Sequence, residues 1–324
     1  MNRISILLVP FIFAVSGFTV FYLKLFQRQR FKTISLMSLV PHFILDDTCQ
    51  PKAAEFDKEN LTHDLSMCIC SLINTSDYDA RQKLIIKLHQ ASSFRCNFGV
   101  IRDSKCLETL LSLLDPTADT LPESQQNLNV LQVVINLACD HQSFPIIKDY
   151  LDNVLSIADK VEYSGQACAA LQVLGNIALT PDGCELLRDK CGYLCNLLRT
   201  RDPYVLRNVL VVLVNLSCDS NCCKKLLSEN REEFMLALEY SLSSNAPTPI
   251  SLKMADLLKS LYWRIIQERE ASPKSPNFPL YPQSIGDYLK DNYALISSWI
   301  LPLMSSSEDW SEVGIHLQKL ASSL

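Results

Sequence analysis

One line of sequence recurs three times and limits what the chain can fold into. It reads VLQVVINLACD at 130–140, ALQVLGNIALT at 170–180 and VLVVLVNLSCD at 209–219. The copies place Asn136, Asn176 and Asn215 at steps of 40 and 39 residues. Within each copy the apolar residues keep helical spacing. A period of about 40 residues in helix-patterned sequence marks a stack of helical repeats, because one such unit cannot bury its apolar face alone. The line therefore predicts an all-α solenoid.

Composition agrees. Eight glycines in 324 residues is far below the usual share of roughly 7%, which argues against an all-β fold of tight turns. The formal charge of −5 is unevenly placed: residues 1–32 carry Arg3, Lys24, Arg28, Arg30 and Lys32 and no acid, so the remainder stands at −10. An acidic body disfavours nonspecific nucleic-acid binding, whose affinity comes from Lys and Arg on phosphates. Protein surfaces are the expected partners.

Residues 4–23, ISILLVPFIFAVSGFTVFYL, are uncharged and mostly apolar. Twenty residues at 1.5 Å rise reach about 30 Å, the thickness of a bilayer core. With the basic flank that follows, 1–32 reads as a single-pass signal anchor. Its downstream positive charge keeps the body in the cytosol. The competing reading is a signal peptide cleaved near Ser16 or Gly17. That would make the body a lumenal or secreted helical-repeat protein, for example a chaperone cofactor. The thirteen cysteines bear on this choice. Cys139, Cys168 and Cys218 lie near the recurring line, where a core position and a reduced thiol are expected. Sequons at Asn60, Asn74 and Asn215 are formally compatible with a lumen, but the third falls inside the proposed packed repeat.

The rest of the chain divides at composition changes. Residues 33–58 form a connector with Pro41 and Pro51, and 59–270 carry the helical period. A degenerate first unit has Leu84, Ile85, Ile86 and Leu88 turned inward. The units that follow run at about 105–147, 148–189 and 190–229, each a short leucine helix and a long one. In the first, DPTADTLPESQQ at 115–126 reads as a polar loop and the long helix starts at 127. In the third, a glycine turn at Gly192 opens the short helix, and Asp202-Pro203 supplies the cap and first position of the long one. Thr180-Pro181-Asp182 likewise starts a helix. Residues 271–284 hold four prolines and form a non-helical linker. The tail 285–324 has amphipathic runs that suit a C-terminal cap or, more sharply, self-association or partner binding.

Over about 105–229 these residues resemble the armadillo repeat family, whose line is a glycine corner, a leucine pair, an acidic corner and a long helix ending in Asn-Leu-Ser or Asn-Leu-Ala. The matching endings are Asn136-Leu137-Ala138, Asn176-Ile177-Ala178 and Asn215-Leu216-Ser217. The layout of an anchor before such a body is similar to the membrane-anchored branch of the family. The resemblance implies a right-handed armadillo-like solenoid of four to five repeats, and a non-enzymatic scaffold that holds a protein partner in a concave groove. The short anchor with its basic flank resembles those of mitochondrial outer-membrane proteins, with the endoplasmic reticulum second.

No nucleophile motif, phosphate loop or dinucleotide fingerprint is present. The five histidines are scattered, and no cysteine group has metal-ligand spacing. No cofactor or metal is expected. Positions i−4 and i−7 share a helix face with i. That groups Asn129, Gln132 and Asn136; Ala169, Gln172 and Asn176; and Asn208, Val211 and Asn215. The amides among them are the candidate groove residues. In armadillo proteins the matching asparagines bind the backbone of an extended peptide, and an amide offers both donors and an acceptor for that task. The plainer reading is that they tie neighbouring helices together. Gln132, Gln172 and Val211 stand where importin-type grooves carry tryptophan, which counts against nuclear-signal binding.

Overall fold

The computed structural model describes residues 58–242 and 246–271, with Ile315 beyond them. The chain divides into two compact units, Met1–Pro51 and Lys52–Leu324, and every described helix belongs to the second. The anchor at 4–23, most of the connector, the Pro-rich linker and the C-terminal cap lie outside the described residues.

Helix follows helix, and no strand occurs among the described residues. The first pair is α1 (Lys58–Asn74) and α2 (Tyr78–Ser92). The first full repeat contains α3 (Phe98–Asp103), α4 (Cys106–Ser112) and α5 (Leu121–Leu137). The second contains α6 (Phe144–Asp149), α7 (Leu151–Ala158) and α8 (Ser164–Ile177). The third contains α9 (Pro181–Leu187), α10 (Cys191–Asn196) and α11 (Pro203–Leu216). The fourth contains α12 (Ser220–Lys224), a π turn at Lys225–Glu229, α13 (Arg231–Leu242) and α14 (Thr248–Ala271). The long helices α2, α5, α8, α11 and α14 pack each on the one before. A single core runs through the stack. Leu110, Leu131, Leu137, Ile147, Leu171, Ile177, Leu194 and Leu210 are all fully buried within it.

The helix starts follow from short-range chemistry. Asp202 accepts from the amides of Tyr204 and Val205, with Pro203 in the first position, where no donor is lost. Thr180 accepts from Gly183 N ahead of α9, and Asp140 and Asp219 cap the starts of the next two short segments in the same way. The final residue of each copy of the recurring line is therefore the cap of the next repeat.

Four local expectations are corrected. Each repeat has three helices, not two. The extra one, α3, α6 or α9, spans six or seven residues, under two turns and too short for a period to declare itself. The polar loop shrinks to the residues before Thr120, because Thr120 and Glu123 form a capping box and α5 starts at Leu121, six residues early. Gly192 lies inside α10, and no described glycine has positive φ. The left-handed corner falls instead at Lys105, φ 62°, before α4. Ile86 points outward and is 48% exposed, while Ile85 and Leu88 are buried.

Candidate functional site

The recurring asparagines form a ladder across the long helices. Asn176 Nδ2 donates to the Ile135 carbonyl at 2.8 Å and Asn215 Nδ2 to the Gly175 carbonyl at 2.9 Å. Each acceptor precedes the asparagine of the helix before. The choice of acceptor has a physical cause. A helix leaves its last four carbonyls without an intrahelical partner. At the end of α8 the carbonyls of Leu174, Asn176 and Ile177 are taken by the amides of Ala178, Leu179 and Thr180. Only the Gly175 carbonyl of that turn is passed over, and Asn215 takes it. At the end of α5, the carbonyls of Val134, Asn136 and Leu137 are taken by backbone amides in the same way, leaving Ile135 to Asn176 and, more weakly at 3.8 Å, to the Cys139 thiol. On α11 the corresponding carbonyl, Val214, accepts from the Ser217 hydroxyl at 2.5 Å. At the other end Asn136 Nδ2 donates to Ser92 Oγ at 2.9 Å. Asn176 and Asn215 are thus caps in trans, which gives the tying role a geometry.

The remaining candidates separate into three groups. Asn208 is buried and donates to Tyr204 O on its own helix at 2.9 Å. Asn129 belongs to an amide cluster, donating to Gln82 Oε1 at 2.7 Å and accepting from Gln125 Nε2 at 2.8 Å. Gln132 is half-buried and Gln172 exposed. Neither makes a hydrogen bond to another described residue, so both amides are unspent. They sit four residues before Asn136 and Asn176, at the same register on adjacent helices. The surface around them carries little charge. No Asp, Glu, Lys, Arg or His occurs in α8, only Arg207 in α11, and only Glu123, held in its capping box, in α5. Ala169 is buried and Val211 half-buried on the same face.

Residues that the sequence did not single out hold this face in place. Asn127, fully buried, donates to Asp115 O and to Gln166 Oε1, and accepts from Asp115 N. It pins the loop before α5. Arg102 reaches Asp140 at 2.6 Å and Arg188 reaches Asp219 at 3.0 Å, each from one repeat to the cap of the next. Asp140 and Asp219 close the recurring line, so only the arginines lacked a signal: they stand outside any repeated motif.

The cysteines fall differently from the expectation. Cys139 and Cys218 are exposed and Cys168 half-buried, whereas Cys106, Cys184, Cys191, Cys195, Cys222 and Cys223 are buried. All twelve described cysteines are free thiols. Burial is the main cause that pushes Cys106 and Cys184 up to about 12 and Cys168 up to about 11. These thiols stay protonated at neutral pH and are poor nucleophiles and poor ligands. Among the described residues no group of His, Cys, Asp and Glu can hold a metal ion. The sequon asparagine Asn215 is buried and bonded in the ladder, a position that leaves no room for a glycan.

A model of armadillo-like proteins matches residues 24–258. No curated protein matches the chain. Among solved structures, an engineered protein is similar with a TM-score of 0.60 at 16% identity, covering 80% of this chain and 97% of that one. A designed armadillo repeat protein is similar at 0.59 and 16%, covering 79% and 99%. A second designed armadillo repeat protein, in complex with the peptide (KR)4, is similar at 0.57 and 15%, covering 79% and 99%. At such identity the likeness is one of fold. The family match spans well over half the sequence and takes in the ladder and the first three full repeats, and the chain belongs to the armadillo-like family.

Proposed function

We propose that this protein is a non-enzymatic adaptor, tethered to a membrane by residues 4–23, that holds an extended segment of a protein partner along its long-helix face. The observation that carries the binding reading is the pair of unspent amides, Gln132 and Gln172, at one register on adjacent helices. An extended backbone presents donors and acceptors at intervals, and an amide can meet either. Asn136 and Asn176, half-buried and engaged through Nδ2, keep an Oδ1 and one N–H that an extended backbone can use. The designed relative was solved with a polybasic peptide. Here α5, α8 and α11 offer one carboxylate, already engaged, so the partner segment is uncharged or mildly acidic.

The tether reading draws on sequence. The family match begins at Lys24, where the apolar run stops and the basic flank starts. The apolar run lies outside the family match. Free thiols across the described body suit the cytosolic face, and among organelles the mitochondrial outer membrane fits the short anchor and basic flank best. Tethering would raise the local concentration of partners on the same membrane.

Two measurements test this. In protease protection of intact membranes, a C-terminal tag should be lost without detergent; a protected tag would sink the topology. In proximity labelling, Gln132→Ala with Gln172→Ala should remove a defined set of neighbours while a fold-neutral surface variant does not. Loss of two amide hydrogen bonds, about 1 kcal/mol each, should weaken binding roughly 30-fold. An unchanged neighbour set would remove the binding reading.

A further inference from the structure

We infer that the chain supplies an occupant for its own long-helix face: residues 272–284, SPKSPNFPLYPQS, which follow α14. This rests on the adaptor reading above and adds a regulator to it. Pro273, Pro276, Pro279 and Pro282 recur every third residue. That is the period of a polyproline II helix, which has three residues per turn and no internal hydrogen bonds. All four prolines would share one edge, and Phe278 and Tyr281 would share another. A segment in that conformation cannot donate from its prolines, and its carbonyls would have no partner within the helix. The face offers the complementary donors, the Nε2 groups of Gln132 and Gln172.

Length and charge agree. Ser260 of α14 meets Ser217, just past the end of α11, at 2.5 Å. The α14 helix runs on from there to Ala271, about 16 Å at 1.5 Å per residue. Rungs lie about 10 Å apart and Gln172 stands six residues, about 9 Å, back from the Ser217 level, so Gln172, two rungs away, is roughly 32 Å from the end of α14. At 3.1 Å per residue, Tyr281 reaches about 31 Å from Ala271 and Phe278 about 22 Å. The apolar pair therefore arrives over α11 and α8. Residues 275–284 carry no charge, and α8 carries none. Being covalently joined, the segment competes at high effective concentration. A partner would have to displace it.

The test uses the full chain in detergent, with a photo-crosslinking residue at position 278 or 281 and a mixture of light and heavy copies. Crosslinks within one copy to α8 or α11 are expected. Crosslinks only elsewhere, or only between copies, would overturn the inference. A labelled peptide of residues 272–284 is then added in trans. It should bind a Phe278→Ala, Tyr281→Ala chain about tenfold more tightly than the wild type, as expected when about nine-tenths of the face is self-occupied. Equal binding, or none to either chain, would overturn it. If neighbour capture depends on Gln132 and Gln172 but not on Phe278 and Tyr281, the adaptor reading stands and self-occupancy falls. If capture ignores all four residues, both fall.

Discussion

At the scale of single residues, three backbone positions give opposite predictions for similar changes. Gly183 lies in α9, where a helical glycine would ordinarily be improved by alanine. A Cβ there would sit 1.8 Å from the Ile177 carbonyl oxygen and 2.6 Å from its carbon. Backbone cannot yield as a side-chain tip can, so Gly183→Ala should cost about 3 kcal/mol. Gly165, early in α8, has nothing within 4 Å of its Cβ position, and Gly165→Ala should stabilise by about 0.5–1 kcal/mol. Urea unfolding of the two variants checks the contrast; equal effects would mean the close approach of α9 to α8 is wrong. Lys105 holds φ 62° at the corner where the armadillo line places glycine. Relief of roughly 1–2 kcal/mol of strain, less the added freedom of an unfolded glycine, predicts that Lys105→Gly raises stability by up to about 1 kcal/mol.

At the scale of elements, the ladder predicts an order. Asn215→Ala leaves the Gly175 carbonyl buried and unpaired, at a cost of about 1–3 kcal/mol. Asn215→Asp should be worse, because it sets an acceptor against an acceptor. If thermal unfolding ranks the aspartate variant above the alanine one, the bond is not made. The cap at Asp219 adds a pH dependence. Burial works to raise its carboxyl, but the Arg188 guanidinium and the amides of Cys222 and Asn221 together outweigh that and hold it below the usual carboxylate range. A depressed carboxylate contributes stability above its unfolded value, about 3.9, and loses it as pH falls through the lower folded one. Wild type should therefore exceed Asp219→Asn at pH 7, with the gap closing below about pH 4. The sequence revealed the caps, since Asp202-Pro203 and Thr180-Pro181 announce helix starts by residue type. It hid α3 and α6, each too short to show a period, and marked α9 by its start alone. It also left Asn176 and Asn215 ambiguous, because the groups they bind are backbone carbonyls, which every residue has and no letter marks.

For the whole molecule, a stack in which each unit touches only its neighbours has stability set by unit and interface terms. Units in the middle are held on both sides. Amide hydrogen exchange should be slowest in α8 and α11 and faster in α2. Uniform protection across the stack would argue for a single cooperative block instead. Here the sequence served well at long range and poorly at short range. A 40-residue period is a global property that survives drift at individual positions. The candidate face was legible as a set of amides, but Gln132 and Gln172 could be told from Asn208 and Asn129 only once their neighbours were known. The ladder also has a direction. Every trans cap reaches backward, from a later helix to an earlier one. A chain emerging from the ribosome thus carries its newest long helix with one frayed carbonyl, closed only when some 40 further residues have been made, the offset between Asn215 and Gly175 or Asn176 and Ile135. Synthesis and stabilisation then advance in steps of one repeat. Stalled nascent chains of increasing length should gain protease resistance in jumps of that size, and a smooth rise would mean that the caps play no part in the order of folding.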